Sequence, residues 1–194
     1  DPVFLLNKGW WENFARRSNY QNYKSDFILI YMLEYNSILI NAAKYLSEKE
    51  NLPIISVEIP LVSQKRLLNM RQIKKLNDVG PIDFVKLILE AKYILTNSFH
   101  GTAFSLILHK PFISFAHSSV NSRIENLLEI YDLKDYQVSR EVENFTALEK
   151  ILEKSEEVHE SENKKMILLI EESQNYLNNA IESIYKKEGH IYEK

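Results

Sequence analysis

One short stretch of the sequence gathers a histidine with small and hydroxyl-bearing residues: His100 follows Ser98 and precedes Gly101 and Thr102. An imidazole donates a hydrogen bond to a phosphate or carboxylate, or moves a proton. If these residues open a helix, the backbone N–H groups and the dipole of its first turn also favour an anion. The pattern indicates an anion-binding or acid–base site. The alternative is a buried histidine whose ring pairs with a backbone carbonyl.

The elements around His100 are predicted to form a βαβ unit. Residues 93–96 are a short apolar run with the composition of a buried strand, and Ser98 is a good helix cap. Residues 99–108 are apolar on nearly every side, so we expect a buried helix that Pro111 ends. Residues 112–115 are the next strand. His100 would then lie at the carboxyl end of a parallel strand, where open α/β sheets bind their ligands.

A second unit of the same kind precedes the first. Residues 27–33 form a continuous apolar run, typical of a parallel strand covered on both faces. A helix over residues 38–50, capped by Ser37 or Asn36, and a strand over residues 53–59 follow. Another helix should begin at Pro81 and run to about residue 90. The sequence therefore predicts the α/β class, with an open, mostly parallel sheet flanked by helices.

Further polar residues follow the strand at 112–115, and we expect them at the same edge of the sheet as His100. Arg123 would open a helix over residues 124–131, where its guanidinium can hold a carboxylate or phosphate with two hydrogen bonds. Alternatively, Arg123 forms a salt bridge with Glu125, Glu129 or another domain. The candidates for the shared cleft are His117, Asn121, Ser122 and Arg123.

Three segments resemble those of a known family, in the same order. TNSFHGTAFS at residues 96–105, followed by HKPF at 109–112, resembles the signature of the polysaccharide pyruvyl transferases. GPIDF at residues 80–84 and NSRIENLL at 121–128 are similar to flanking segments of that family. The resemblance implies a Rossmann-like C-terminal domain of a two-domain enzyme of the glycosyltransferase-B type. It also implies transfer of pyruvate from phosphoenolpyruvate to two hydroxyls of a sugar, giving a cyclic ketal and phosphate.

The resemblance assigns roles to residues of this chain. His100 would act as general acid/base or as a hydrogen-bond donor to phosphoenolpyruvate, and Arg123 would neutralise the carboxylate or phosphate of that donor. No metal or further cofactor is expected. Some family members carry Arg and Leu just before the histidine, where this chain has Ser98 and Phe99, so another cation must serve. The residues expected around the donor are Asn97, Ser98, Phe99, Gly101 and Thr102.

The family's enzymes are about twice as long, and this chain aligns with their C-terminal half. We therefore expect a donor-binding half that is inactive alone. A missing N-terminal domain would complete the acceptor side for a sugar or lipid-linked oligosaccharide. The product would be a cell-surface polysaccharide, such as an exopolysaccharide, or its precursor. We expect a cytoplasmic protein, because the chain has no cysteine and no apolar run long enough to cross a bilayer.

Composition fits a globular domain and excludes some partners. The 194 residues are 45% hydrophobic and 26% charged, with a net charge of −3. This balance argues against nucleic acid or anionic membrane as partner. A basic stretch at residues 64–75 is either ordinary solvated surface or a contact for an anionic acceptor. An acidic stretch at residues 141–164 should hold one exposed helix over 146–154 and a solvated link, with His159 at the surface.

The predicted organisation has four parts. Residues 1–22 are a leading segment in which Trp10, Trp11 and Phe14, at helical spacing, dock on the core or stack on a sugar. Residues 23–160 are the Rossmann-like domain. Residues 161–188 include a long helix over 163–187 that packs back on the core, on the missing domain or on another subunit. Residues 189–194 should be disordered.

Two other functions fit parts of the sequence. A glycosyltransferase-B-type domain could bind a nucleotide sugar, with Glu34 for the ribose and Tyr35 for the base. A non-catalytic module could bind a glycan or protein partner through the two tryptophans and the long helix.

Overall fold

The computed structural model describes residues 1–20, 26–57, 73–117, 121–138, 145–158 and 164–189. A 3-10 turn, Pro2–Leu5, precedes the first helix, and a second one, Lys134–Tyr136, precedes the last strand. The strands are β1 Ile28–Tyr31, β2 Ile54–Val57, β3 Ile73–Leu76, β4 Tyr93–Thr96, β5 Phe112–Phe115 and β6 Gln137–Val138. The helices are α1 Lys8–Ala15, α2 Ser37–Glu50, α3 Pro81–Glu90, α4 Phe99–Ile107, α5 Ser122–Ile130, α6 Thr146–Val158 and α7 Lys164–Gly189.

Within these ranges, six parallel strands form one sheet in the order β3-β2-β1-β4-β5-β6. In β1, Ile28 pairs with Ile54 of β2 on one side and with Tyr93 of β4 on the other. After β1, the chain adds β2 and β3 on one side of the sheet, and it then returns to add β4, β5 and β6 on the other side. The gap between β1 and β4 is therefore the topological switch point, where loops diverge and leave a crevice at the carboxyl edge.

Helices cover both faces of the sheet because its buried strands alternate their side chains. Leu29 of β1 packs in one core with α1, α3, α4 and α5, whereas Ile28 and Ile30 pack in a second core with α2 and α6. The central strands are buried on both sides, which explains their continuous apolar runs. The predicted α/β architecture is thus confirmed. No helix in the described ranges is long and apolar enough to span a membrane.

Most predicted elements are present, with differences at their ends. The strands at 93–96 and 112–115 are confirmed, and the strand predicted over 27–33 is shorter. β3 and β6 were not predicted. The first lies partly in the basic stretch and includes Lys74 and Lys75, and residues 58–72 are outside the described ranges. The helix predicted at 146–154 is present as α6, but the prediction that it is exposed is wrong for one side, because Leu148 and Leu152 are buried against the sheet.

The leading segment is packed into the domain. Phe4 and Ala15 belong to the core, and Trp11 stands edge-on to Phe104 with ring centroids 4.8 Å apart. The Trp11 indole donates a hydrogen bond to the Val3 carbonyl, and the ring packs partly buried against the first core, as the docking alternative predicts. Trp10, which stacks on Phe14, remains partly exposed.

In the described part of the chain, α7 contacts the domain through its amino-terminal half. Met166 is buried, whereas Leu177 and Ile184 are exposed, although the sequence placed all three near one face. The Gln174 amide donates to the Leu5 carbonyl. The predicted tail (residues 190–194) and His159 lie outside the described ranges.

Candidate anion site at the amino ends of two helices

The carboxyl ends of β4 and β5 deliver the amino ends of α4 and α5 to one edge of the sheet. α4 begins because the Ser98 hydroxyl accepts a hydrogen bond from the Gly101 N–H, and the backbone at Ser98 is extended. α5 begins at Ser122, next to Arg123. Both first turns therefore aim N–H groups and the positive ends of their dipoles at this edge.

α4 approaches β4 closely because residue 101 is glycine. A Cβ at this position would lie 2.3 Å from Thr96 Oγ1 and 2.9 Å from Thr96 Cβ. Thr96 cannot move easily, since its hydroxyl donates to the Tyr31 carbonyl at 2.6 Å and accepts from the Ser98 N–H at 3.0 Å. Gly101 therefore sets how near His100 comes to the strand edge.

Asn97 braces the switch point. Its side chain is 2% exposed. Its Oδ1 accepts from the Leu33 N–H at 2.8 Å, and its Nδ2 donates to the Glu34 carbonyl at 2.7 Å. The amide thus joins the loop after β1 to the start of α4. This buried side chain is already engaged, which makes Asn97 a support of the site in the unliganded protein.

The side chains of Ser98 and Thr102 are also buried. The Thr102 hydroxyl donates to the Ser98 carbonyl at 3.1 Å. A cradle formed here would consist of backbone N–H groups. Within the described part of the chain, the N–H groups of Phe99 and His100 have no hydrogen-bond acceptor, as is usual for the first turn of a helix.

His100 and Arg123 meet at one carboxylate oxygen. Arg123 Nη2 lies 3.0 Å from Asp1 Oδ2, and His100 Nε2 lies 3.7 Å from the same atom. The Arg123 guanidinium also stacks over the Phe99 ring, 4.0 Å from its centroid. The predicted alternative partners, Glu125 and Glu129, are not the partners found. Two nitrogen-bearing side chains from adjacent helix starts thus converge on an anionic group.

Two features of its surroundings favour the neutral form of the His100 imidazole. Burial lowers the pKa of His100, and the positive charge of Arg123 lowers it further. A neutral imidazole can accept a proton or donate one hydrogen bond, depending on its tautomer.

Glu34 and His117 form a second polar pair at the ends of β1 and β5. His117 Nδ1 lies 2.9 Å from Glu34 Oε2. The Asn121 side chain closes the loop after β5, because its Oδ1 accepts from the His117 N–H at 2.6 Å and its Nδ2 donates to the His117 carbonyl at 3.0 Å. Residues 118–120 of this loop are outside the described ranges. Tyr35 packs partly buried against the second core.

A groove of about 380 Å³ continues from the His100–Arg123 edge between α5, α7 and the first 3-10 turn. Its polar lining residues are Asp1, Arg123, Asn126 and Ser173, and the rest of its lining is apolar. The apolar lining residues are Phe4, Leu5, Phe99, Leu127, Ile130, Met166, Leu169 and Ile170.

The sequence did not point to Asp1 as a site residue. Its contact with Arg123 spans 122 positions of the chain, and a single carboxylate in the leading segment has no pattern that would signal such a contact. Among the residues described, no group of three or more His, Asp or Glu side chains is arranged to hold a metal ion.

Comparison with known proteins supports this fold. The chain is similar to UDP-GlcNAc 2-epimerase from Methanocaldococcus jannaschii, with 16% identity and a TM-score of 0.51 over 90% of this chain and 51% of that one. UDP-GlcNAc 2-epimerase from Neisseria meningitidis, bound to UDP-GlcNAc, gives 18% identity and a TM-score of 0.51 over 82% and 47%. S. aureus MnaA with UDP gives 16% identity and a TM-score of 0.51 over 86% of this chain and 51% of that one.

The likeness confirms the Rossmann-like fold of the glycosyltransferase-B type, and the chain spans about half the length of these structures. No curated protein matches the chain. The sequence model of one family, polysaccharide pyruvyl transferase, matches residues 1–119, which include β1 to β5 and the His100 turn. The chain belongs to the polysaccharide pyruvyl transferase family.

Proposed function

We propose that this chain binds phosphoenolpyruvate and that the protein transfers its pyruvate to two hydroxyls of a sugar, giving a cyclic ketal. The sugar would belong to a cell-surface polysaccharide or its precursor. Membership of the family supports pyruvyl transfer to a polysaccharide. The observation that carries the donor assignment is the convergence of Arg123 and His100 on one carboxylate oxygen, because phosphoenolpyruvate presents a carboxylate and a phosphate.

Arg123 would bind the carboxylate or phosphate of the donor. A guanidinium offers five N–H groups in a planar fork that matches either group. Stacking on Phe99 restricts the plane of this fork, so less side-chain entropy is lost when an anion binds. Arg123 would thereby supply the cation that some family members carry two residues before the histidine, where this chain has Ser98. The N–H groups of Phe99 and His100 would bind the other anionic group.

His100 would move the protons of the reaction. The neutral imidazole accepts the proton of the first attacking hydroxyl as that oxygen bonds to C2 of the donor. The C2–C3 double bond opens, and C3 takes up one proton, which balances the proton that the hydroxyl gave to the imidazole, to become a methyl group. The second hydroxyl then replaces phosphate at C2 through an oxocarbenium-like centre, and its proton leaves with the phosphate. Arg123 stabilises the negative charge on the departing group.

The acceptor side would lie largely outside this chain. A further domain would complete the cleft for a sugar or lipid-linked oligosaccharide, and the isolated chain would bind donor without turnover. No cofactor beyond the donor is invoked. The reaction would take place in the cytoplasm, where phosphoenolpyruvate is made.

Calorimetric titration with phosphoenolpyruvate tests the donor assignment. We expect His100→Gln and Arg123→Gln each to weaken binding by about tenfold to a hundredfold, because each removes a hydrogen bond to a charged group. His109→Asn is the matched control, since His109 follows the opposite end of α4 and adopts the left-handed conformation that asparagine tolerates.

The assignment fails if the wild-type chain does not bind phosphoenolpyruvate. It also fails if both variants bind as the wild type does. Binding of UDP without binding of phosphoenolpyruvate would instead favour a nucleotide-sugar enzyme.

A further inference from the structure

The carboxylate that bridges Arg123 and His100 comes from the chain itself. Asp1 Oδ2 makes both contacts, and Asp1 Oδ1 accepts from the Val3 N–H at 3.3 Å to cap the first 3-10 turn. The side chain of Asp1 is only 14% exposed, whereas that of Arg123 is 59% exposed. Asp1 thus holds the inner side of the guanidinium and leaves the outer side to solvent.

Three anchors hold this carboxylate in place. Phe4 is buried in the core, the Trp11 indole donates to the Val3 carbonyl at 3.0 Å, and the Gln174 amide donates to the Leu5 carbonyl at 3.0 Å. The segment 1–5 therefore lies across the amino ends of α4 and α5 as a strap. A carboxylate on a fixed strap loses little entropy when it pairs with Arg123, so the pair is favoured in the unliganded protein.

We propose that Asp1 is an internal anion that competes with small carboxylates and phosphates for Arg123 and His100, and so sets the affinity of the site for them. The proposal rests on the donor site described above. A ligand anion that takes this position exchanges one carboxylate for another and gains little from Arg123. Net affinity must then come from a second anionic group that reaches the outer side of the guanidinium or the first turn of α4.

The charge of Asp1 also lowers the affinity for a ligand anion that binds beside the Asp1 carboxylate without displacing it. Two like charges about 4 Å apart repel by about 1 kcal/mol in water, and more strongly at a partly buried site. Removing the charge of Asp1 while keeping its shape should therefore tighten binding of an anion by at least about fivefold.

The test is calorimetric titration of wild type and Asp1→Asn with phosphoenolpyruvate and, separately, with inorganic phosphate. Asparagine keeps an oxygen that caps the 3-10 turn but carries no charge. We expect both anions to bind Asp1→Asn fivefold to tenfold more tightly, with a smaller gain at high salt. The matched control is Asp135→Asn, an exposed carboxylate in the second 3-10 helix, which should change affinity less than twofold.

A second variant guards against residual pairing between the asparagine amide and Arg123. Asp1→Ser keeps a capping hydroxyl but is too short to reach the guanidinium, and it should give the same gain. Unchanged or weaker anion binding in both variants would overturn the proposal, and weaker binding would mean that Asp1 orients Arg123 for the ligand. A gain for inorganic phosphate without any binding of phosphoenolpyruvate would support the role of Asp1 and refute the donor assignment.

Discussion

Replacing Gly101 by alanine tests whether the approach of α4 to β4 positions the site. The new Cβ would lie 2.3 Å from Thr96 Oγ1, which is 1.1 Å inside the 3.4 Å at which ordinary contact begins. Thr96 is fully buried and bonded on both sides, so α4 must move outward instead. Overpacking of this kind costs about 1–3 kcal/mol, and weakening the Thr96 hydrogen bonds adds about 1 kcal/mol.

Alanine in a helix offsets about 0.5–1 kcal/mol of that cost. We therefore expect the free energy of unfolding to fall by about 2 kcal/mol, which for a domain of this size lowers the melting temperature by about 4–8 °C. Urea denaturation monitored by circular dichroism measures this free energy of unfolding. Gly9→Ala in α1 is the control, because its nearest neighbour is 3.6 Å away and the exposed helical position should become more stable.

A double-mutant cycle with Thr96→Ala isolates the contact between the two residues. Thr96→Ala alone removes the hydroxyl from the partly buried Tyr31 carbonyl and the buried Ser98 N–H, and costs about 1–3 kcal/mol. The double variant should be less destabilised than the sum of the two by about 1 kcal/mol, since the closest clash is gone. Gly101→Ala within 0.5 kcal/mol of the wild type, or additive free energies in the cycle, would refute this account of how α4 is seated.

Three further predictions concern stability. Asn97→Ala should lower the free energy of unfolding by about 1–3 kcal/mol in urea denaturation, because two partly buried backbone groups lose their hydrogen bonds to a buried side chain. An unchanged free energy of unfolding would contradict the role of Asn97 as a support of the loop after β1. Burial and the charge of Lys8 lower the pKa of His109 below 6.5, so the free energy of unfolding should fall as the pH drops through 6.5. This fall should be less steep in His109→Asn, and an equal dependence of the free energy of unfolding on pH in both proteins would exclude His109 as its origin. Met166→Ala should cost about 2 kcal/mol or more and Ile184→Ala less than about 0.5 kcal/mol in thermal melts, because only Met166 is buried; equal effects would show that α7 packs along its whole length.

The central βαβ unit was predictable because local and tertiary preferences agree there. The run at 93–96 is apolar, Ser98 caps the helix, and Pro111 prevents its continuation. β3 was missed because two of its four residues are lysines, which are typical of an edge strand but indistinguishable from a basic loop by pattern. β6 has only two residues and carries no periodicity.

The sequence was enough to predict the edge of the sheet at which the site lies, but not the contacts between its side chains. His100 and Arg123 were placed on the right side of the sheet because parallel strands end together. The direction of the Asn97 amide toward β1 and the arrival of Asp1 depend on contacts 63 and 122 positions apart, which no local pattern encodes. Their roles in donor binding stay predictions.

The close seating of α4 on β4 divides the signature stretch into two layers with different freedom to change. Thr96 and Gly101 are in close contact, so a substitution at either position is constrained by steric fit, whatever ligand the protein binds. Phe99 and His100 are partly or largely exposed and are not constrained by that contact. A threonine and a glycine at these two positions of another protein therefore indicate that its helix packs on its strand in the same way. Whether that protein binds the same donor should be judged from its residues at the exposed positions.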